Sequence, residues 1–343
     1  MSKLGVRALS LLPPEKAHEA TIRLLRSPLA PRPKVVSDAI LRTEIAGLDL
    51  PNPLGMAAGF DKNAEVPDKL LRLGFGFVEV GAVTPKPQPG NAKPRVFRLR
   101  KDEAVINRYG FNNDGLEAIG ERLAARAGTP GVVGINLGAN KDSSDRAEDY
   151  VKGLVALEPH VSFLTVNVSS PNTQGLRDLQ GKAALGELLG RVLRARKTDK
   201  PVFVKVAPDL IDEDKADILD AATEAGISGL IVSNTTLSRE GVSGPDAHQK
   251  GGLSGKPLFE RSTAVLRDFA VASEGKMPLI GVGGVASAED ALTKIKNGAS
   301  AVQLYTALVY QGPGLAKTII EELPDLLRRD GFTNVADAVG AAL

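Results

Sequence analysis

From residue 53 onward, short apolar runs rich in β-formers alternate with longer segments in which apolar residues recur at spacings of three and four. The runs predict strands at Leu54–Ala58, Phe77–Gly81, Val132–Leu137, Phe163–Val168, Val202–Val206, Gly229–Val232, Leu279–Val282 and Ala301–Tyr305. Between most of them lies an amphipathic helix, as in "LGELLGRVLRARK" and "EDKADILDAATEAG", the second closed by Gly226 as a C-cap. Eight β/α units in one chain predict an α/β fold, the closed (β/α)8 TIM barrel. A doubly wound open sheet would satisfy the same strand count. Polar residues following nearly every run favour the barrel: Lys62, Thr84, Asn136, Asn167 with Ser170, Lys205, Asn234, Gly283 with Gly284, and Thr306. Barrel enzymes build their sites from many strand ends at one face, although any one of these residues could be polar simply because loops are.

Two stretches break the rhythm. Residues 85–115 are too long for an ordinary βα loop, and "RVFRLR" within them could form an excursion strand; a second insertion runs from Thr235 to Lys256. Both read as lids or binding walls over the barrel mouth, or as tolerated insertions. At the N-terminus, Leu4, Ala8, Leu11 and Leu12 share one helical face, and Ala17, Ala20 and Leu24 repeat the pattern beside Arg23 and Arg26. Residues 1–34 therefore read as two short amphipathic helices ahead of a barrel domain spanning 35–343.

Charge sharpens that division. Residues 1–34 hold seven Lys/Arg against two Glu, whereas the whole chain of 343 residues carries a net charge of only +2. A basic amphipathic head suits a membrane surface, though it could equally be a hairpin packed on the barrel. No apolar run reaches the length of a spanning helix, and "ALSLLPP" is too short for a signal peptide, so a cytoplasmic, peripherally attached protein is expected. The absence of cysteine excludes disulfides, a cysteine nucleophile or base, and thiolate-held metal. His18, His160 and His248 lie far apart without metal-ligand spacing and read as surface or supporting residues. Neither a metal nor a nucleic-acid partner is expected.

What remains for chemistry sits at the strand ends. "LIGVGGV" followed one unit later by "AVQLYTALVY" suits a phosphate held by Gly283, Gly284, Tyr305 and Thr306, because glycine turns let backbone N–H groups approach an anion; close packing alone would also explain the glycines. Lys205, ending "VFVKV", is costly to bury unless it meets an anion, such as the charge of a reduced flavin, or a structural carboxylate. Lys62 is a second cation at the mouth. The amides of Asn107, Asn167, Asn172 and Asn234 suit a planar cyclic imide bearing a carboxylate, although each could instead hold a turn. With no cysteine and no histidine near, Ser170 is the best-placed proton acceptor, acting in concert with water or a neighbouring hydroxyl such as Thr165 or Ser169. Another FMN-dependent barrel oxidoreductase using a different acceptor, a phosphate-binding barrel aldolase using a Schiff-base lysine, or a non-enzymatic tethered barrel would explain parts of this pattern.

The motifs "MAAGFDKN", "GFVEVGAVTPKPQPGNAKPRVFRL", "INRYGFNN", "INLGANK", "VNVSSPNTQGLR", "VKVAPDL", "SNTTLSR", "GGLSGKPL" and "IGVGGV" together resemble the dihydroorotate dehydrogenases over about residues 40–320. The serine at 170, where the soluble class carries cysteine, and the helical extension around "LLPPEKAHEATIRLL" resemble the membrane-associated, quinone-reducing class. The resemblance implies oxidation of dihydroorotate to orotate through FMN in pyrimidine biosynthesis, with a membrane quinone as acceptor. It implies that Ser170 is the base and that Lys62, Asn107, Arg108, Tyr109, Gly110, Phe111, Asn167, Asn172, Asn234 and Thr235 bind substrate. It places FMN on Ala58, Gly59, Ala82, Asn136, Asn167, Lys205, Ser233, Gly255, Gly284, Tyr305 and Thr306. Ala82 departs from a usual Thr or Ser and loses a side-chain hydrogen bond; Ser233 replaces a frequent Thr and keeps the hydroxyl. The location implied is the cytoplasmic side of the cell inner membrane.

Overall fold

The computed structural model describes residue 9 and residues 11–28, 30, 33–35, 37–173 and 175–343. Eight parallel strands close into a barrel: β3 (Leu54–Met56), β4 (Phe77–Val83), β7 (Val132–Leu137), β8 (Phe163–Asn167), β9 (Val202–Val206), β10 (Gly229–Val232), β12 (Leu279–Val282) and β13 (Ala301–Leu304), with β13 pairing back onto β3. Each runs where a strand was expected, to within two residues, and closure removes the open-sheet alternative. Around them stand α2 (Pro67–Arg72), α3 (Gly115–Ala124), α4 (Arg146–Leu157), α5 (Lys182–Ala195), α6 (Asp212–Ala225), α7 (Phe259–Ala272), α8 (Ala288–Lys296), α9 (Ala307–Gln311) and α10 (Leu315–Arg329). Local chemistry sets several ends. Gly226 closes α6 in the left-handed region, with φ +77°, and Ser287 caps α8 by accepting from Asp290 N at 3.1 Å.

The lower barrel interior is aromatic. Phe77, Phe163 and Phe203 stack edge to face with centroids 6.2 and 5.7 Å apart. Room for them comes from a neighbouring strand: a Cβ at Gly134 would lie 2.2 Å from the Phe163 ring. The hairpin of β1 (Thr43–Ile45) and β2 (Leu48–Leu50), which the strand pattern did not reveal, adds Ile45 and Leu50 to the same apolar cluster and closes this end.

The opposite end is walled by the two insertions, and they fold together. Val96–Leu99 (β5) and Ala104–Asn107 (β6) from the first join Gly252–Gly255 (β11) from the second in one antiparallel sheet. The expected excursion strand is β5; its partners are the addition.

Against β5 lies α1 (Pro14–Arg26), the second helix expected of the head. Its docking face is Ile22 and Leu25, both in the main core, while Ala17, Ala20 and Leu24 are half-buried. Leu4 and Ala8 lie outside the described residues, and Leu11 and Leu12 are exposed turn residues, not part of a helical face. An ion pair fixes the dock: the Arg95 guanidinium, 5% exposed, donates to Glu15 at 2.6 Å and to Pro89 O and Asn91 O at 2.6 and 2.9 Å. Burial pushes the Glu15 carboxyl up, but the hydrogen bond and charge of Arg95, with Lys93, hold it below its ordinary value of 4.5. A depressed carboxylate stabilises the fold above its unfolded pKa and loses that contribution as pH falls through its folded one. Glu15→Gln should therefore loosen α1 at neutral pH by about 1–2 kcal/mol, since the carboxylate is partly solvated and Arg95 keeps Pro89 O and Asn91 O, and behave like the parent in strong acid. Protease cleavage within residues 14–26, followed against pH, checks this; equal cleavage of parent and variant at neutral pH would reject the dock.

Candidate active site

Strand alternation carries polar side chains into the upper barrel at positions whose neighbours are apolar and face outward. Glu79, Asn136, Asn167, Lys205 and Gln303 are all buried there. Glu79 accepts from Asn136 Nδ2 and from Gln303 Nε2, both at 2.7 Å. Its two oxygens are thus taken by amides, and among the described residues no carboxylate stands within ion-pair distance of Lys205. A direct ion pair therefore does not account for Lys205, although the buried Glu79 is near enough to favour its charge. Burial pulls its ammonium below the ordinary lysine pKa, with Glu79 opposing, and the side chain borders the cavity.

Above this floor the amides form a connected set. Asn167 Nδ2 donates to Asn136 Oδ1 at 2.9 Å; Asn167 Oδ1 accepts from Ser169 Oγ at 3.1 Å; Asn234 Nδ2 donates to Ser169 Oγ at 2.9 Å. The fully buried Tyr150 of α4 anchors the strand end by donating to Asn167 O at 2.6 Å. Ser169 is therefore a structural link. Ser170, also buried, faces the cavity, and its Oγ accepts from Asn172 N at 3.3 Å. Asn172 Nδ2 reaches across to Asn107 Oδ1 at 3.3 Å, so the β8 loop meets the first insertion. Thr165 lies in β8 itself, with its Oγ unpartnered among the described residues.

Lys62 enters from the loop after β3. Its shape is set by the buried Asp61, which accepts from Glu65 N and Val66 N at 2.8 Å each and is pushed up to about 6 by burial. Lys62 Nζ donates to Gly59 O at 2.7 Å and lies 4.2 Å from the Tyr109 ring centroid. Burial pulls it down to about 8, Glu15 opposing and Arg95 adding to the fall.

Every residue expected to bind substrate or cofactor borders this one cavity except Arg108. Arg108 points away: its guanidinium donates to Gln249 Oε1, Lys250 O and Pro94 O at 3.0 Å each and lies over Phe97, tying the two insertions together. At another end of the cavity Gly255, Gly283 and Gly284 all have positive φ, and Thr306 Oγ donates to Ser254 Oγ at 2.9 Å. A third end runs out beneath α1, between Ala17, His18, Thr21 and Leu25 on one side and Val96, Arg98 and Leu308 on the other.

His18, expected at the surface or in a supporting role, takes the supporting one. It sits edge-on to Phe60 at 5.4 Å, its Nδ1 lies 3.4 Å from the Tyr305 hydroxyl, and burial, then Lys62, hold it well below the ordinary histidine pKa. It meets Tyr305 only across 287 residues of sequence, so spacing carried no signal. Glu79 and Gln303 were findable, as lone polar residues inside "FVEV" and "AVQL".

The dihydroorotate dehydrogenase family model matches residues 40–327. The chain belongs to the dihydroorotate dehydrogenase family. The family match spans all eight barrel strands and both insertions and stops short of α1. A dihydroorotate dehydrogenase (quinone) of Cereibacter sphaeroides is 56% identical over 99% of this chain and 97% of its own length; one from Parvibaculum lavamentivorans is 56% identical over 97% and 96%. Both relatives therefore extend through the α1 region. Two crystal structures of the Eimeria tenella enzyme, one with ferulenol and one ligand-free, superpose with TM-scores of 0.91 and 0.92 at 41% identity, covering 96% of this chain and 95% and 99% of theirs.

The family is flavin-dependent in general, and the donor set here fits a flavin nucleotide. Three positive-φ glycines beside the Thr306 hydroxyl suit a phosphate, and Lys205 offers a buried cation lacking a carboxylate partner among the described residues.

Proposed function

We propose that this chain oxidises (S)-dihydroorotate to orotate in pyrimidine biosynthesis, with FMN as its flavin and a membrane quinone as electron acceptor. The observation that carries the reading is one cavity with two kinds of wall: amides, Lys62 and Ser170 at the barrel mouth, and, under α1, the apolar Ala17, Leu25, Val96 and Leu308 interspersed with His18, Thr21 and Arg98. When bound, FMN accepts two electrons from the substrate and gives them up to the quinone.

The residues divide the remaining work. Lys62 holds the substrate carboxylate, while Asn107, Asn167, Asn172 and Asn234, with Thr235 and the Tyr109–Phe111 backbone, match the ring amides. Ser170 takes the proton from C5 as its own proton passes to water or a neighbouring hydroxyl, and the Asn172 N–H directed at its oxygen holds that hydroxyl in place. Lys205 balances charge at the flavin, Asn136 and Asn167 fix its edge, and Ala58, Gly59, Ala82 and Ser233 line its seat. Gly255, Gly284, Tyr305 and Thr306 hold its phosphate. Arg108 acts through loop architecture.

Residues 1–34 form the quinone-access and membrane-surface extension, and residues 35–343 the catalytic barrel. The amphipathic α1 and the excess of Lys and Arg over residues 1–34 support a peripheral site on the cytoplasmic face of the inner membrane. Among the described residues no helix is long and apolar enough to cross a membrane.

Anaerobic mixing with dihydroorotate tests the reading: the flavin should bleach, and a quinone, not a nicotinamide nucleotide, should restore its colour. No bleaching would reject it. The lowered pKa of Lys62 adds a prediction. Above about 8 its ammonium is lost in the free protein, so KM for dihydroorotate should rise with pH through that value. Lys62→Arg should push the rise to higher pH. A KM flat through this range would remove Lys62 as the carboxylate's partner.

A further inference from the structure

Lys294 lies on α8, outside the cavity and fully buried. Its stem packs on β12, where a Cβ added to Gly281 would stand 3.3 Å from Lys294 Cβ. Its Nζ donates to Ser262 Oγ at 2.6 Å and lies 5.2 Å from the Phe259 ring centroid. The Ser262 hydroxyl in turn shares its proton between Phe259 O at 3.0 Å and Gly283 O at 3.1 Å. The chain from ammonium to hydroxyl to carbonyl thus ends on the glycine turn at the phosphate end of the cavity. The contact is close: a Cβ at Gly283 would come within 2.7 Å of Ser262 Oγ, and one at Gly284 within 2.5 Å of Phe259 Cβ.

A buried ammonium needs an anion, and among the described residues none pairs with it. Asp290, one turn earlier on α8, accepts from Ala286 N at 2.9 Å, and Glu260 is an exposed residue in the first turn of α7. Among the described residues, these two are the charged groups that bear on Lys294; the charges of α10, which packs on α8, do not act on it. Burial pulls its pKa to about 7, with Asp290 and Glu260 opposing. Among the described residues the other positive sources at the phosphate end are solvated or short. Lys256, which follows Gly255 and lines the cavity, is exposed to solvent; α9 has only five residues; and the N-terminus of α8 is occupied by Ser287 and Asp290.

We propose that Lys294, relayed by Ser262, is the buried counter-charge of the phosphate held at the Gly283–Gly284 turn, and hence a positioning residue that selects a phosphorylated flavin over an unphosphorylated one. The proposal rests on the assignment of that turn to the FMN phosphate. An anion in the turn raises the pKa of Lys294, so binding draws in a proton once pH exceeds about 7. FMN affinity should then fall as pH rises above that value, by up to about tenfold per pH unit, until the bound-state pKa is reached.

The test uses the full-length holoprotein. Flavin released on dilution is read by fluorescence, first with FMN and then after exchange into riboflavin. Lys294→Met keeps the length of the side chain and removes its charge. It should weaken FMN about tenfold or more, leave riboflavin unchanged and flatten the pH dependence of FMN binding. Equal weakening of both flavins, or an unchanged preference for FMN, would make Lys294 a packing residue and overturn the proposal. Should Lys294→Met fail to accumulate folded, Ser262→Ala, which leaves the ammonium without its acceptor, should narrow the preference in the same sense, and an unchanged preference there overturns it equally. A parent protein that holds riboflavin as tightly as FMN would sink the phosphate assignment itself, a failure visible without either variant.

Discussion

Ser170→Ala is expected to retain FMN and orotate at near the parent affinities and to lose about 10²–10⁴-fold in the rate at which dihydroorotate bleaches the flavin. Binding should persist because the groups that grip the ring do not depend on this hydroxyl: Asn167 is held by Asn136 and Ser169, and Asn172 reaches Asn107 through its own amide. The chemical step should fail because the neighbouring hydroxyl, Ser169, is already engaged with Asn167 and Asn234. Reoxidation by quinone should be nearly unchanged, which separates loss of the base from general damage. Ser170→Cys should recover part of the rate and shift its pH dependence downward, since a thiol has an unperturbed pKa near ~8.5. Stopped-flow absorbance of the flavin measures each step. Parent-like bleaching by Ser170→Ala would remove Ser170 from the role of base.

The second large effect is at the other end of the cavity. Ala17→Trp places a bulky ring in the passage between α1 and β5, where Ala17 faces the space also bordered by His18, Thr21 and Val96. Turnover with a long-chain quinone should fall by on the order of tenfold or more, while bleaching by dihydroorotate stays within about twofold, because steric exclusion costs an acceptor its binding site and leaves the substrate end untouched. Deleting residues 1–34 should give the same separation of half-reactions less cleanly. It takes Ile22 and Leu25 from the core and leaves the buried Arg95 without Glu15, so stability falls along with acceptor access. Undiminished quinone turnover in Ala17→Trp would show that electrons leave by another route.

Much of this protein was legible because its information is local. Strands in a closed parallel barrel are buried on both faces, so each appears as a short apolar run, and each C-terminal end appears as the polar residue that follows. Ser170, Asn167, Lys205 and Lys62 are visible in that way, and the motifs around them carry the family resemblance. Arg108 misled for the same reason: it stands between two cavity-facing neighbours, but an extended chain alternates its faces, and its side chain takes the other one.

The sequence by itself determined the eight β/α units, their strands to within two residues and the chemical character of the mouth; closure of the sheet came from the structure. Tertiary structure alone decided what meets across long separations. The β5–β6–β11 sheet joins two insertions, since backbone pairing between distant segments depends on where the barrel brings their ends, not on any local pattern. The same holds for Glu15 on Arg95, His18 against Tyr305, and Lys294 beneath the glycine turn. A lone charged or aromatic residue on an amphipathic helix looks alike whether it faces water or a buried partner. Only the packing of α1 and α8 on the barrel removes the water and gives these side chains a definite neighbour.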